Sequence, residues 1–97
     1  MPKLIKVRRT PGQRKEFVAE FRTEDGRIRR VRFGTASNWI TNRAKTEADR
    51  RAYVARHSAR EDHTNPTKPG TLSRYLLWGE SRSLRSNVQA FRRRFRV

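Results

Sequence analysis

The chain has no cysteine, one methionine and only nine acidic residues among 97. Without Cys there is no disulfide framework, no thiolate zinc site and no Cys nucleophile. No apolar run approaches the ~18 residues of a membrane-spanning helix. The five glycines (Gly12, Gly26, Gly34, Gly70 and Gly79) stand alone at turn-like positions, so no Gly-rich phosphate cradle is formed. Leu, Ile, Val and Phe together number 19 of 97, at the boundary below which a highly charged chain is expected to stay disordered. The N-terminal run Met1 to Arg9 lacks the apolar stretch of a secretory signal, and the expectation is a protein that is not secreted. What fills the space is positive charge. Lys and Arg total 25, giving a net charge of +16, and most of the cations are arginine. At this length one small domain is expected, 1–97, and a multidomain enzyme is excluded. Composition leaves two options: a disordered polycation, or a thin-cored domain whose charge is answered by an acidic partner.

The pattern along the chain decides between them. Phe17 to Phe33 reads as two strands joined at Glu24-Asp25-Gly26. A two-residue turn would set Phe21 against Arg30 and Glu20 against Val31. A three-residue loop with Gly26 in the left-handed region instead sets Phe17 against Phe33, Ala19 against Val31 and Glu20 against Arg30. Apolar pairs then gather on one face and opposite charges meet on the other, as cross-strand energetics favour. A first strand, Leu4 to Arg9, precedes the Pro11-Gly12 turn. Ile5 and Val7 share parity and are expected over Ala19 and Phe17. The result is a three-stranded antiparallel meander, 1–34, whose apolar face is Ile5, Val7, Phe17, Ala19, Phe21, Val31 and Phe33. Such a face needs a cover.

A connection, 35–45, leads to a helical part, 46–97, which supplies it. Thr46-Glu47-Ala48-Asp49 is a capping signature, and Ala48, Ala52, Ala55 and Ala59 recur at helical spacing. That small-residue stripe is expected to pack closely on the sheet or on another helix. The helix should fade near His57 to Arg60. A Pro/Gly loop, 61–70, follows. Thr71 is placed as the cap of a short helix, Leu72 to Trp78, stopped by Gly79 and serving as the core plug. Ser83 caps a last helix, whose Leu84, Val88, Phe91 and Phe95 form one apolar face. The fold class is therefore α+β, a small meander covered by about three helices.

No enzyme chemistry assembles from these residues. His57 and His63, with Glu61 and Asp62 between them, match no familiar four-ligand metal arrangement. Glu61-Asp62 read as local ion-pair partners rather than a catalytic pair. Ser58, Ser73 and Ser83 have helix-related places and no nucleophile motif. No catalytic residue, metal, cofactor or small-molecule substrate is expected.

The arginines are the informative feature. They fall in three groups: Arg8, Arg9 and Arg14 around the first turn, Arg27, Arg29, Arg30 and Arg32 on one strand, and Arg92, Arg93, Arg94 and Arg96 at the end. Guanidinium suits phosphate through its planar fork and weak hydration, and a polyanion would relieve the self-repulsion of so cationic a fold. The candidate contacts to nucleic acid or another acidic partner are Arg8, Arg9, Arg14, Arg30, Arg32, Arg92, Arg93, Arg94 and Arg96. Nothing resembles a sequence-reading element. Phe17, Phe21 and Phe33 could stack on single-stranded bases, although the scarcity of other apolar residues favours the core for them. Trp39, in the polar run Ser37 to Asn42, is a candidate interface anchor, with a wedge in the small core as the alternative.

Two blocks carry a resemblance to a known family. Tyr53-Val54-Ala55-Arg56-His57-Ser58-Ala59-Arg60-Glu61-Asp62, Asn65-Pro66 and Gly70-Thr71-Leu72-Ser73-Arg74-Tyr75-Leu76-Leu77-Trp78 resemble a family of small basic proteins from giant viruses, the nucleocytoplasmic large DNA viruses. The ending Phe91-Arg92-Arg93-Arg94-Phe95-Arg96-Val97 is similar to that family's tail, and Phe33-Gly34 and Arg50-Arg51-x-Tyr53 also fit. The similarity covers roughly residues 15–97. His63 departs from it, standing where the family carries an aromatic. The resemblance implies a viral source and a compact fold and brings no established activity. Two functions follow as expectations. One is a virion-associated, non-enzymatic protein in the virion and the host cell interior, binding nucleic acid through Arg–phosphate contacts without reading sequence. The other is a minor capsid or cement protein wedged between larger acidic subunits.

Overall fold

Strand order, loop type and register can be followed from one end of the chain in a computed structural model, which describes residues 2–97. Three strands, β1 (Lys3–Arg9), β2 (Phe17–Arg22) and β3 (Ile28–Phe33), form an antiparallel sheet in the order β1-β2-β3. The β2–β3 loop has the expected three residues. Gly26 sits at φ +84°, its N–H donates to the Thr23 carbonyl, and the Thr23 N–H closes the loop on the Arg27 carbonyl. Every pair from Phe17↔Phe33 to Arg22↔Ile28 follows from that loop. The aromatic pair Phe17 and Phe33 meets with ring centroids 5.7 Å apart, and Phe17, Ala19, Phe21, Val31 and Phe33 form the buried face.

The first strand departs from its expected register. Val7 lies opposite Ala19 and Arg9 opposite Phe17, and a bulge between Leu4 and Lys6 shifts the pairing by one residue. A one-residue shift reverses which face a side chain meets. Leu4 therefore enters the core against Phe21, while Ile5, expected inside, is 38% exposed. The bulge is held by groups from the far end of the chain, where Arg92 and Val97 bond the backbone of Leu4 and Ile5.

The helices cover the apolar face. Helix α1 (Glu47–Ser58) begins with the full capping box, in which Thr46 Oγ1 accepts from the Asp49 N–H and the Asp49 carboxylate accepts from the Thr46 N–H. Its alanine stripe does not pack inward. Ala48, Ala52, Ala55 and Ala59 are exposed, and α1 buries no residue fully. The inward face is Arg50, Tyr53 and His57, because aromatic area outweighs methyl area when one face must be chosen. The Tyr53 ring stacks on Trp78 at 4.3 Å and 7°, and Arg50 donates to the Trp78 carbonyl.

The plug begins earlier than expected. Pro69 occupies the first turn of α2 (Pro69–Leu72), where its missing N–H is harmless, and Lys68 rather than Thr71 is the N-cap residue. Helix α2 runs into a π-helical segment, Ser73–Leu77, marked by the Trp78 N–H donating to the Ser73 carbonyl. Leu72, Leu76 and Leu77 are fully buried, and Trp78 is nearly so. Gly79 acts by close approach: a side chain there would collide with the Tyr75 carbonyl and Asn87. Gly34 at φ +75° likewise gives its space to Leu77. Helix α3 (Leu84–Phe95), capped by Ser83, buries Phe91 and half-buries Leu84, Val88 and Phe95. The Cα radius of gyration is 12.9 Å, near the ~12.5 Å of a folded chain of this length and far below an unfolded one.

Candidate nucleic-acid interface

Helices occupy one side of the sheet, and the other side faces out. On β2 the outward residues are Val18, Glu20 and Arg22. Register places Arg8 and Arg32 beside Val18, Lys6 and Arg30 beside Glu20, and Ile28 and Lys3 beside Arg22, with Lys3 Nζ turned to the Arg96 carbonyl. The outer face thus carries Lys6, Arg8, Arg22, Arg30 and Arg32 around the single carboxylate Glu20. That carboxylate lies 3.0 Å from Arg30 Nε, 3.4 Å from Lys6 Nζ and 3.7 Å from Arg8 Nε. Burial alone would raise the Glu20 carboxyl, and Lys6, Arg30 and Arg8 outweigh it and hold it below the ordinary range. The role of Glu20 is to gather the cations, because one carboxylate satisfies part of three positive charges and neutralises only one. Arg30 and Lys6 keep 60% and 61% of their side chains in solvent. Val18 is 1% exposed on this face, with the long side chains of Arg8 and Arg32 as its cross-strand neighbours, whose aliphatic stems can cover apolar surface while their charged heads stay wet.

The sequence candidates divide between this face and other work. Arg8, Arg30 and Arg32 are brought together on it, and Arg32 also donates to Thr10 Oγ1. Arg9 points to the other side and pairs with Glu16 at 3.1 Å. Arg14 lies in the first turn beside Lys15, near a cleft of about 430 Å³ that reaches His57 and Glu61. Arg92 is taken by the fold: its Nη2 donates to the carbonyls of Leu4 and Ile5 at 3.0 Å each. Arg93 and Arg94 line a different cleft on the helical layer. Arg96 ends α3 in the left-handed conformation at φ 56°. The candidates therefore divide: Arg8, Arg30 and Arg32 share the outer sheet face, Arg93, Arg94 and Arg96 lie at the end of α3, Arg9 and Arg14 belong to neither group, and Arg92 is committed to structure.

Trp39 is a core residue. It is 7% exposed, its Nε1–H donates to the Ser81 carbonyl, and the Arg82 guanidinium lies over its ring at 3.8 Å. Of its two expected placements the structure realises the wedge, because the neighbouring Asn38 fixes the loop. Asn38 Oδ1 accepts from the N–H groups of Ile40 and Thr41, and Nδ2 donates to the Thr35 carbonyl.

Sequence reasoning missed Lys6 and Arg22 on the sheet face, although both share outward parity with residues it named. It also missed Arg74, hidden inside a segment read as a hydrophobic plug, and Arg82. Arg82 serves the fold by donating to the carbonyls of Trp39 and Lys45.

The histidines assemble around one acid. Glu61 Oε2 is hydrogen-bonded to His57 Nδ1, and Glu61 Oε1 lies 3.6 Å from His63 Nε2. Burial would raise the Glu61 carboxyl, but the hydrogen bond and charge of His57, then those of His63, hold it below its usual range. His57 also stacks on Tyr53 at 4.0 Å, and burial followed by the nearby Glu61 pushes the Tyr53 hydroxyl up to about 12. This array braces α1 against the loop that follows it. Among the described residues no group of three His, Cys, Asp or Glu converges to hold a metal ion, and no helix is long and apolar enough to cross a membrane.

Comparison with protein-family models, curated proteins and solved structures finds no match for this chain.

Proposed function

We propose that this protein is a non-enzymatic nucleic-acid-binding protein that holds phosphates on the outer face of its sheet without reading base sequence. The observation that carries this is the open face itself, where Lys6, Arg8, Arg22, Arg30 and Arg32 surround one carboxylate and no helix intervenes. A sheet fixes its side chains in rows, so the positive charge is preorganised rather than gathered on binding. Among the described residues no recognition helix or exposed aromatic platform accompanies it; the sheet phenylalanines are buried on the opposite face. Phosphate contact without base contact gives affinity that is strongly salt-dependent and indifferent to sequence. The family resemblance adds a viral setting, and there phosphate neutralisation of this kind would assist genome condensation in a virion.

A salt-titrated gel shift with duplexes of unrelated sequence tests this. Five phosphate contacts give a log–log salt slope near −4 to −5. The variant Arg8→Gln/Arg22→Gln/Arg32→Gln leaves Glu20 its two nearest cations, Arg30 and Lys6, and should flatten the slope by about 2–3 units. Absence of binding near ~50 mM salt, where phosphate contacts are strong, overturns the reading.

One observation favours a second reading, a minor capsid or cement protein lodged between acidic subunits. Helix α1 buries no residue fully and leaves its alanine stripe bare, as in a helix that completes its packing within an assembly. An ordered copy between capsid subunits in a particle would establish it, and a chain found only with the genome would exclude it.

A further inference from the structure

The π-helical segment and α3 enclose a cleft of about 180 Å³ on the helical layer, away from the outer sheet face. Arg74 and Tyr75 form one wall, Ala90, Arg93 and Arg94 the other, and Glu80 stands at its edge. The guanidinium carbons of Arg74 and Arg94 each lie 4.6 Å from the centroid of the Tyr75 ring. One aromatic ring thus orients two guanidinium groups without consuming their hydrogen-bond donors, since cation–π attraction acts through the ring face. Among the described residues none of these three arginines has a carboxylate within salt-bridge distance.

Arg93 and Arg94 are exposed, but Arg74 is partly buried, and like charges gathered around it are unfavourable unless something answers them. Burial pushes the Arg74 guanidinium down, Arg50 and Arg94 add repulsion, and Tyr75 and Glu80 only partly oppose them. The backbone is unusual at the same place. A π-helical turn widens the helix and frequently marks a functional position, and here it carries both Arg74 and Tyr75.

We propose that this cleft is a discrete binding site for a phosphate monoester, either inorganic phosphate or the terminal phosphate of a nucleic-acid strand. Size favours a single small group: about 180 Å³ falls well short of the ~300–1,000 Å³ of a pocket for a drug-sized ligand. Charge selects the monoester. It carries about −1.5 to −2 at neutral pH with three acceptor oxygens, which matches three guanidiniums beside one carboxylate better than a singly charged diester does. Arg74 would grip the oxygens from one wall and Arg93 and Arg94 from the other. This site lies in another layer from the sheet face and stands independently of it.

The test is thermal unfolding and isothermal calorimetry of the whole chain with inorganic phosphate, against sodium chloride at matched ionic strength. Phosphate should raise the melting temperature beyond chloride with a saturable, millimolar dependence. Arg93→Gln, which removes an exposed side chain, should weaken phosphate binding several-fold, and Arg74→Gln more. Arg8→Gln/Arg22→Gln/Arg32→Gln should leave phosphate binding unchanged even where duplex binding is lost, so failure of the sheet-face reading is distinguishable from failure of this one. Equal effects of phosphate and chloride, or phosphate binding unchanged in both Arg93→Gln and Arg74→Gln, overturn the proposal. A short oligonucleotide with and without a 5′-phosphate separates the two sources. Tighter binding of the phosphorylated strand assigns the site to strand ends, and equal binding assigns it to free phosphate.

Discussion

Asn87 stands in for backbone that the chain does not supply. From within α3 its Nδ2 donates to the carbonyls of Leu76 and Ser81, and its Oδ1 accepts from the Ser81 N–H. Asn87→Ala would leave these buried groups unmatched and should lower stability by about 2–4 kcal/mol, read as a fall in the urea midpoint with an unchanged slope. A loss under ~0.5 kcal/mol, the scale of an ordinary surface change, would show that water replaces the amide. Nothing in the sequence marks Asn87, because its partners belong to a turn that forms only when the plug docks. Thr46, Asp49 and Ser83 were legible, since a cap is made within three residues of itself. Arg92 was not, because its partner Leu4 lies 88 residues away. In a run of arginines, composition cannot say which one the fold consumes.

Among the elements, legibility followed period and loop type. The β2–β3 register could be read because loop length and pairing preference agree. The β1 register could not, because a bulge is chosen by what docks on it, here Arg92 and Val97. Helix α1 was read correctly in extent and wrongly in orientation. Four alanines spell a periodic stripe, but the side that docks is the one whose aromatic meets Trp78. Two variants separate these faces. Ala52→Glu, on the bare side, should change stability by no more than ~0.5 kcal/mol. Tyr53→Ala, which removes the stack on Trp78 and His57, should cost about 2–3 kcal/mol in the same denaturation assay. Similar costs at both positions would mean that α1 packs the other way. The sheet-face site is an element-scale object too: three of its five cations were named from sequence, and parity would have supplied Lys6 and Arg22.

For the whole molecule the governing quantity is a charge of +16 on 97 residues, held together by few carboxylates. Glu20 and Glu61 are both held below their ordinary value near 4.5. A carboxyl depressed by folding contributes stability that is present above its unfolded pKa and is lost as pH falls through the folded one. The urea midpoint should therefore fall between about pH 5 and pH 3, as the cations around Glu20 lose their common partner. A midpoint flat across that window would show that these ion pairs contribute nothing. Above it, lowering the salt without a polyanion should also destabilise the fold, and adding duplex should restore it. The molecule also has to manage the margins of its sheet. An edge strand normally offers unpaired carbonyls and amides to any other extended chain, a standing invitation to aggregate. In β1 the carbonyls of Leu4 and Ile5 are taken by Arg92, the Leu4 amide is bonded to the Val97 carbonyl, and the strand is kinked at the bulge. Arg92, one more cation by composition, is by position a guard. Its loss would open this margin to intermolecular strand pairing, so the C-terminal helix protects the solubility of the first strand.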